Sequence, residues 1–193
     1  SDTPLSALKL SEVLIESGMP AEAIQCITGP GGAIGDTLVA HPDIRKVTFT
    51  GSRDVGEHIC RVAGLKKVTM ELGSNSPLIV LPDADLDKVA DATVQSGFSN
   101  AGQVCISTQR VIVSENVYGD YLDVLKEKVE GMLLGNQMNQ DTKVGPMVRE
   151  DDAIRVDKWI NEAVDGGARL LTGGQRDGAL LAPAILADVD PDM

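Results

Sequence analysis

Residues 44–72 read IRKVTFTGSRDVGEHICRVAGLKKVTMEL, and this stretch decides the fold. The runs IRKVTFTG and LKKVTMEL are short and rich in β-branched residues, which indicates strands, whereas SRDVGEHICRVAG between them has the spacing of a helix. The connections are too short for anything but a direct crossover, which predicts parallel strands covered by a helix. This order is typical of the open nucleotide-binding sheets.

The residues before this stretch extend the same alternation. Apolar side chains at helical spacing predict a helix over residues 6–17, and Gly18 and Pro20 supply its stop. The run AIQCITG, residues 23–29, predicts a strand, and GGAIGDTLVAH after it predicts a helix. We therefore expect residues 1–73 to form part of a parallel, Rossmann-like sheet.

A domain change is predicted in the turn GSNSP, residues 73–77. Beyond it the pattern predicts strands at PLIVLPDA, RVIVSE, ARLLTGG and LLAPAIL, and helices over about residues 86–96, 118–134 and 151–166. The second half is again mixed α/β. We expect residues 74–193 to form part of a second α/β domain.

Composition excludes several classes of function. The formal net charge is -12, which disfavours nucleic acid and anionic membranes as partners. No apolar stretch approaches the roughly 20 residues that span a bilayer, and the first residues show no export signal. Cys26, Cys60 and Cys105 are widely spaced, as are His41 and His58, which indicates a reducing cytoplasm and no metal cluster.

Two glycine-rich turns lie between a predicted strand and a predicted helix, where backbone N–H groups can hold phosphate. TGPGGAIG contains Gly29 but misses the dinucleotide fingerprint, because its last glycine comes one residue late. In FTGSRDVG, Gly51 turns the chain, Ser52 can cap the helix and Gly56 lets the helix approach the sheet closely. The first turn could equally serve backbone geometry alone, and the alternative for the second is that Ser52 merely caps its helix.

Glu71 and Cys105 are the two candidate reactive residues. Glu71 ends a strand otherwise composed of Val68, Thr69, Met70 and Leu72, at the edge where parallel sheets bind ligands, although a solvated glutamate is also common there. Cys105 lies in NAGQVCISTQR, residues 100–110, among small neighbours that leave room for a ligand. A thiol needs a positive environment or helix-terminal N–H groups to ionise near neutral pH, so position alone leaves an inert cysteine as the alternative.

Four stretches in this order, FTGSRDVG, MELGSNSP, FSNAGQVCISTQR and the later GP and APAIL segments, resemble the aldehyde dehydrogenase superfamily. The likeness covers essentially the whole chain, and it implies that residues 1–73 are the C-terminal part of a cofactor-binding (NAD(P)-binding) domain and residues 74–193 the N-terminal part of a catalytic domain. It implies that Cys105 attacks an aldehyde carbonyl and that the resulting hemithioacetal passes a hydride to NAD or NADP, which leaves a thioester. Glu71 would then activate the water that hydrolyses the thioester, and the backbone N–H of Cys105 would donate to the oxyanion.

The resemblance also implies the cofactor contacts. The turn of Thr50, Gly51 and Ser52 would face the cofactor diphosphate, and Gly29 would lie near the adenosine side. Leu72 and Gly73 would lie near the nicotinamide. The partner is a small-molecule aldehyde, and a complete enzyme of this family would form a homo-oligomer, a dimer or a tetramer.

Three family motifs are absent from the chain: Pro-Trp-Asn, the Lys-Pro pair and E-x-F-G-P. They should lie beyond its two ends, so we expect an internal segment of a full-length enzyme that is inactive, or nearly so, by itself. Ser74 stands where the family usually has a second glycine. Ser1 falls where a ribose-binding glutamate is frequent, which would let NADP+ be tolerated.

Three alternatives stay open at this point. A CoA-acylating aldehyde dehydrogenase would release the acyl group to a thiol, but it would lack the general base that Glu71 supplies. The others are a non-catalytic module that keeps the fold, and a nucleotide-binding protein without redox chemistry. The aldehyde itself is not identified by the visible motifs.

Overall fold

The computed structural model describes residues 2–191, so the expectation for Ser1 falls outside the described residues. These residues divide into two units, with the boundary between Gly73 and Ser74. The first unit contains helices α1 (Leu5–Glu16), α2 (Gly31–Ala40) and α3 (Arg53–Ala63) and strands β1 (Lys46–Thr50) and β2 (Lys67–Glu71). Strands β1 and β2 pair in parallel, as predicted, so the chain crosses over through α3.

Helix α3 supplies the apolar contacts that hold the first unit together. Gly56, Ile59 and Ala63 are its buried residues, and they recur at helical spacing on one face. Ile59 and Ala63 form a core with Val39 of α2, and apolar side chains of both strands pack against that core. The amphipathic pattern of α3 thus sets which face covers β1 and β2.

The second unit begins with a parallel pair as well. It contains strands β3 (Ser76–Val80), β4 (Thr108–Val113), β5 (Arg169–Thr172), β6 (Arg176–Asp177), β7 (Leu180–Leu181) and β8 (Ile185–Ala187), and helices α4 (Leu86–Phe98), α5 (Tyr118–Glu130) and α6 (Glu150–Asp165). Strands β3 and β4 are parallel, whereas β5 pairs with β8 and β6 with β7 in antiparallel fashion. The fold class is therefore α/β.

The core of the second unit lies between its helices and strands. Six side chains are buried there together: Val80, Ala90, Tyr121, Leu125, Val129 and Ile185. The one hydroxyl among them, that of Tyr121, lies 2.8 Å from Thr93 Oγ1, so its burial leaves no unpaired polar group. None of the helices within residues 2–191 has the length and hydropathy that a bilayer-spanning segment requires.

Three predicted elements differ from the structure. Residues 24–29 are not a strand, because no described strand pairs with them, although Ile24 is extended (φ -139°, ψ 129°). Helix α5 ends at Glu130 rather than near residue 134, with Gly131 following it. The apolar run at the end forms two short strands, β7 and β8, since Pro183 between them has no N–H to donate to a ladder.

Candidate active site

The carboxyl ends of β1 and β2 bring three of the predicted site residues together. Thr50 and Glu71 are the last residues of their strands and are paired in register. The backbone N–H of Gly51 donates to the carbonyl oxygen of Glu71 at 3.1 Å, which ties the turn after β1 to the end of β2. The Glu71 side chain is exposed at this edge, where parallel sheets bind ligands.

Ser52 stands at the start of α3, but it does not cap the helix with its side chain. Its backbone is extended (φ -71°, ψ 155°) and its hydroxyl makes no capping hydrogen bond. Its carbonyl oxygen accepts the N–H of Gly56 at 3.0 Å, which begins the helix. The alternative reading of Ser52 as a simple cap is therefore not supported, and the exposed start of α3 offers N–H groups and a positive dipole end.

Leu72 packs closely on α3 at Gly56. A Cβ added to Gly56 would lie 2.7 Å from Leu72 Cδ2, closer than carbon atoms approach one another. Gly56 is buried on the face of α3 that covers the strands. The close approach expected of this glycine is confirmed, and it fixes the residue that follows Glu71.

We expect Gly56→Ala to be less stable than Gly119→Ala, although both substitutions replace glycine in a helix by the better helix former. The methyl group added at residue 56 must push the Leu72 side chain aside, which offsets part or all of the roughly 1 kcal/mol that alanine contributes in a helix. Chemical denaturation measures this change. Gly119→Ala in α5 is the matched control, because a Cβ there meets nothing within 4 Å. Equal stability of the two variants would contradict the contact.

Cys105 is exposed in the loop between α4 and β4. It is the second residue of a tight turn, which the N–H of Ser107 closes on the carbonyl oxygen of Val104 at 3.0 Å. Among the backbone hydrogen bonds of residues 2–191, none uses the N–H of Cys105. The turn thus presents a thiol and an unpaired donor on the same residue. Exposure alone does not single it out, since Cys60 on α3 is exposed too.

Three successive residues before this turn adopt left-handed backbone conformations. Asn100 has φ 53° and ψ 39°, Ala101 has φ 55° and ψ 36°, and Gly102 has φ 72°. For a residue such as alanine this conformation costs roughly 1–2 kcal/mol, so the surrounding contacts must hold it in place. The pattern Asn-x-Gly contains two residues that tolerate this region, which is the signal that sequence reasoning overlooked.

Gln103 holds the left-handed segment through its side chain. Its Nε2 donates to the carbonyl oxygen of Asn100 at 3.0 Å, and its Oε1 accepts the backbone N–H of Val148 at 3.0 Å. Ser107, which is buried, donates its hydroxyl to the carbonyl oxygen of Gly102 at 3.1 Å. Both sides of the Cys105 turn are therefore braced. The contact with Val148 could not be read from the sequence, because it joins distant loops.

The remaining predicted residues, Gly29 and Gly73, belong to the first unit. Gly29 is in another turn, directly before Pro30 and the start of α2. Gly73 is exposed and is the last residue of the first unit. Within residues 2–191, no group of three or more His, Cys, Asp or Glu side chains could hold a metal ion.

The matches with known proteins extend over both units. The model of the aldehyde dehydrogenase family matches residues 1–193. The chain is 49% identical over 191 residues to the 3-sulfolactaldehyde dehydrogenase of Priestia aryabhattai, covering 99% of this chain and 40% of that protein. It is 38% identical to the NADP(+) succinate-semialdehyde dehydrogenase of Escherichia coli, covering 98% of this chain and 40% of that protein.

Solved structures agree with this match. The chain is similar to an NAD-dependent aldehyde dehydrogenase from Sinorhizobium meliloti with a TM-score of 0.97 and 36% identity, covering all of this chain and 40% of that one. It is also similar to the NADP complex of a glyceraldehyde-3-phosphate dehydrogenase from Bacillus halodurans, with a TM-score of 0.93 and 41% identity. This match covers 98% of the present chain and 40% of that one. The chain spans about 40% of the length of these relatives. It belongs to the aldehyde dehydrogenase family.

Proposed function

We propose that the complete protein containing this chain oxidises an aldehyde to a carboxylic acid with NAD+ or NADP+. The observation that carries the proposal is the braced turn that exposes Cys105 beside its own unpaired N–H. Membership of the family supports the same reaction. Residues 1–73 would contribute to the cofactor-binding domain and residues 74–193 to the catalytic domain of a homo-oligomeric enzyme. The segment by itself would be inactive, or nearly so.

Cys105 would carry the covalent step. Its Sγ, as a thiolate, forms a bond to the carbonyl carbon of the aldehyde, and the carbonyl π electrons move onto oxygen. The N–H of Cys105 donates to that oxyanion, because a donor without another partner is preorganised for developing charge. Collapse of the oxyanion breaks the C–H bond and leaves a thioester on Cys105. NAD(P)+ supplies the acceptor for the departing hydride.

Glu71 would carry the release step. Its carboxylate takes a proton from a water molecule while the water oxygen attacks the thioester carbonyl. The C–S bond then breaks, which frees the carboxylic acid and regenerates the thiolate. A strand end suits this role, because Glu71 is fixed through its backbone to Gly51 while its side chain stays exposed.

The first unit offers a fitting place for the cofactor. The N–H groups at the start of α3 and the free hydroxyl of Ser52 could bind the diphosphate, with Thr50 and Gly51 beside them. Leu72 and Gly73, which follow Glu71, would lie near the nicotinamide. Gly29, at the turn before α2, would lie towards the adenosine. Relatives bound to NADP and a relative named as NAD-dependent support either cofactor.

For the substrate we propose a short aldehyde that carries an acidic group. Two relatives support this class, since one is named for 3-sulfolactaldehyde and another for succinate semialdehyde. Two further relatives, at 37% and 38% identity, are named for lactaldehyde. Because lactaldehyde carries no acidic group, it is the aldehyde with which the acidic ones should be compared.

A substrate panel tests the proposal directly. The complete protein would be mixed with NAD+ or NADP+ and with 3-sulfolactaldehyde, succinate semialdehyde or lactaldehyde, and formation of the reduced nicotinamide would be followed. We expect the acidic aldehydes to give the higher kcat/KM. Higher kcat/KM for lactaldehyde would contradict the substrate class alone, whereas no product from any aldehyde would contradict the oxidation.

Two further measurements separate the alternatives. Calorimetry would compare NAD+ and NADP+ with ATP, and preferential binding of ATP would indicate a nucleotide-binding protein without this redox role. Product analysis in the presence of CoA would reveal an acylating enzyme. We expect the free carboxylic acid as the product, because Glu71 is present to activate water.

A further inference from the structure

Ser74 makes a direct hydrogen bond to the backbone of Cys105. Its Oγ donates to the Cys105 carbonyl oxygen at 2.7 Å, across 31 positions of sequence. Ser74 comes just before β3, so the bond joins the start of that strand to the loop that carries the candidate nucleophile. Both residues belong to the second unit.

Ser76 continues this contact. Its Oγ lies 2.8 Å from Ser74 Oγ. A carbonyl oxygen can only accept, so the single O–H of Ser74 is used on Cys105, and the hydroxyl of Ser76 must donate to Ser74. Ser76 therefore donates to Ser74, and Ser74 donates to Cys105. Consecutive hydrogen bonds that are aligned in this way strengthen one another.

The bond acts on the reactive residue itself. The other braces hold residues on either side of it: Ser107 bonds to Val104 and to Gly102, and Gln103 bonds to Asn100. The carbonyl of Cys105 belongs to the peptide unit it shares with Ile106, in the middle of the tight turn. A hydrogen bond to this carbonyl anchors the backbone of Cys105 in the turn, so a movement of the turn that redirected the Cys105 N–H and Sγ would have to break it.

We propose that Ser74 is a positioning residue, which holds the Cys105–Ile106 peptide so that the thiol and the N–H of Cys105 face the substrate together. The inference rests on the proposed role of Cys105 and adds a residue to it. A hydrogen bond of this kind shifts a conformational equilibrium by about two- to tenfold. That range is the size of the expected effect.

The test uses Ser74→Ala, Ser74→Thr and Ser76→Ala in the complete protein. The rate of reduced-nicotinamide formation in the first turnover, at saturating aldehyde and cofactor, should fall by about two- to tenfold in Ser74→Ala. The threonine variant keeps the hydroxyl and should restore the rate, while Ser76→Ala should show a smaller loss. The KM for the cofactor should not change, whereas a hydroxyl that contacted the cofactor would affect it.

Ser11→Ala is the matched control, since Ser11 also donates its hydroxyl to a backbone carbonyl, that of Ala7, on an exposed face of α1. Melting temperatures would verify that all variants fold. A first-turnover rate in Ser74→Ala equal to that of the unmodified protein would overturn the proposal, as would a loss that threonine does not restore.

A second readout keeps the inference testable if the proposed oxidation itself fails. The rate of Cys105 alkylation by iodoacetamide depends on how the thiol is presented and needs neither aldehyde nor cofactor. We expect Ser74→Ala to change this rate, and Ser74→Thr to leave it unchanged. Absence of aldehyde oxidation in the unmodified protein would refute the proposed function. Equal rates of Cys105 alkylation in the unmodified protein, Ser74→Ala and Ser74→Thr, at every pH measured, would refute the role of Ser74.

Discussion

Replacing Cys105 by serine is expected to abolish aldehyde oxidation by the complete protein, a loss at least on the order of 10⁴-fold in kcat/KM, as is usual when a covalent nucleophile is removed. A serine hydroxyl is scarcely ionised at neutral pH, so the carbon–sulfur bond that initiates the reaction would have no effective counterpart. The turn should survive, because its hydrogen bonds use backbone atoms and the side chains of other residues. Formation of reduced nicotinamide and the melting temperature are the measurements.

Cys60→Ser is the matched control for this substitution. Cys60 is also an exposed, free cysteine, but it lies within α3 and not in the turn that contains Cys105. We expect this variant to retain its activity. Retained activity in Cys105→Ser, or its loss in Cys60→Ser, would mean that the nucleophile has been misassigned.

Alkylation gives an independent measure of the same assignment. Iodoacetamide should modify Cys105 faster than Cys26, which is half-buried, and faster than Cys60, which is exposed. The comparison with Cys60 is the decisive one, because both cysteines are exposed and the surroundings of their thiols differ. Peptide mass spectrometry after brief labelling would separate the three sites.

Local pattern was sufficient to predict most of the first unit. Residues 44–72 contain the two strand runs, the helix between them and the glycine that lets Leu72 approach α3, and each of these depends on neighbours within a few positions. The strand predicted at residues 23–29 is absent for the complementary reason. A strand exists only when another strand supplies its hydrogen bonds, and apolar composition contains no information about that partner.

The candidate site divides in the same way. Glu71 was expected at a strand end, and its pairing with Thr50 follows once β1 and β2 are parallel. The hydrogen bonds from Ser74 to Cys105 and from Val148 to Gln103 join residues that are far apart in sequence. The sequence shows only that Ser74 stands where the family usually has a second glycine, because the partner of its hydroxyl depends on tertiary structure.

Glu71→Gln should separate the two halves of the proposed reaction. Glutamine keeps the shape of the side chain, and the backbone carbonyl still accepts the N–H of Gly51, but the amide cannot take a proton from water. We expect kcat to fall by about 10²- to 10⁴-fold, which is the usual contribution of a general base. The first turnover should persist as a burst of reduced nicotinamide, because hydride leaves before water enters.

The acyl group should therefore accumulate on Cys105, where intact-protein mass spectrometry would detect it. A small thiol added to Glu71→Gln should restore turnover. A thiol ionises without the help of Glu71, and the thiolate can attack the thioester and displace the Cys105 thiolate. Glu16→Gln, an exposed glutamate at the end of α1, is the control and should leave every step unchanged. Loss of the burst together with the steady-state rate would place Glu71 before hydride transfer and refute the release step proposed for it.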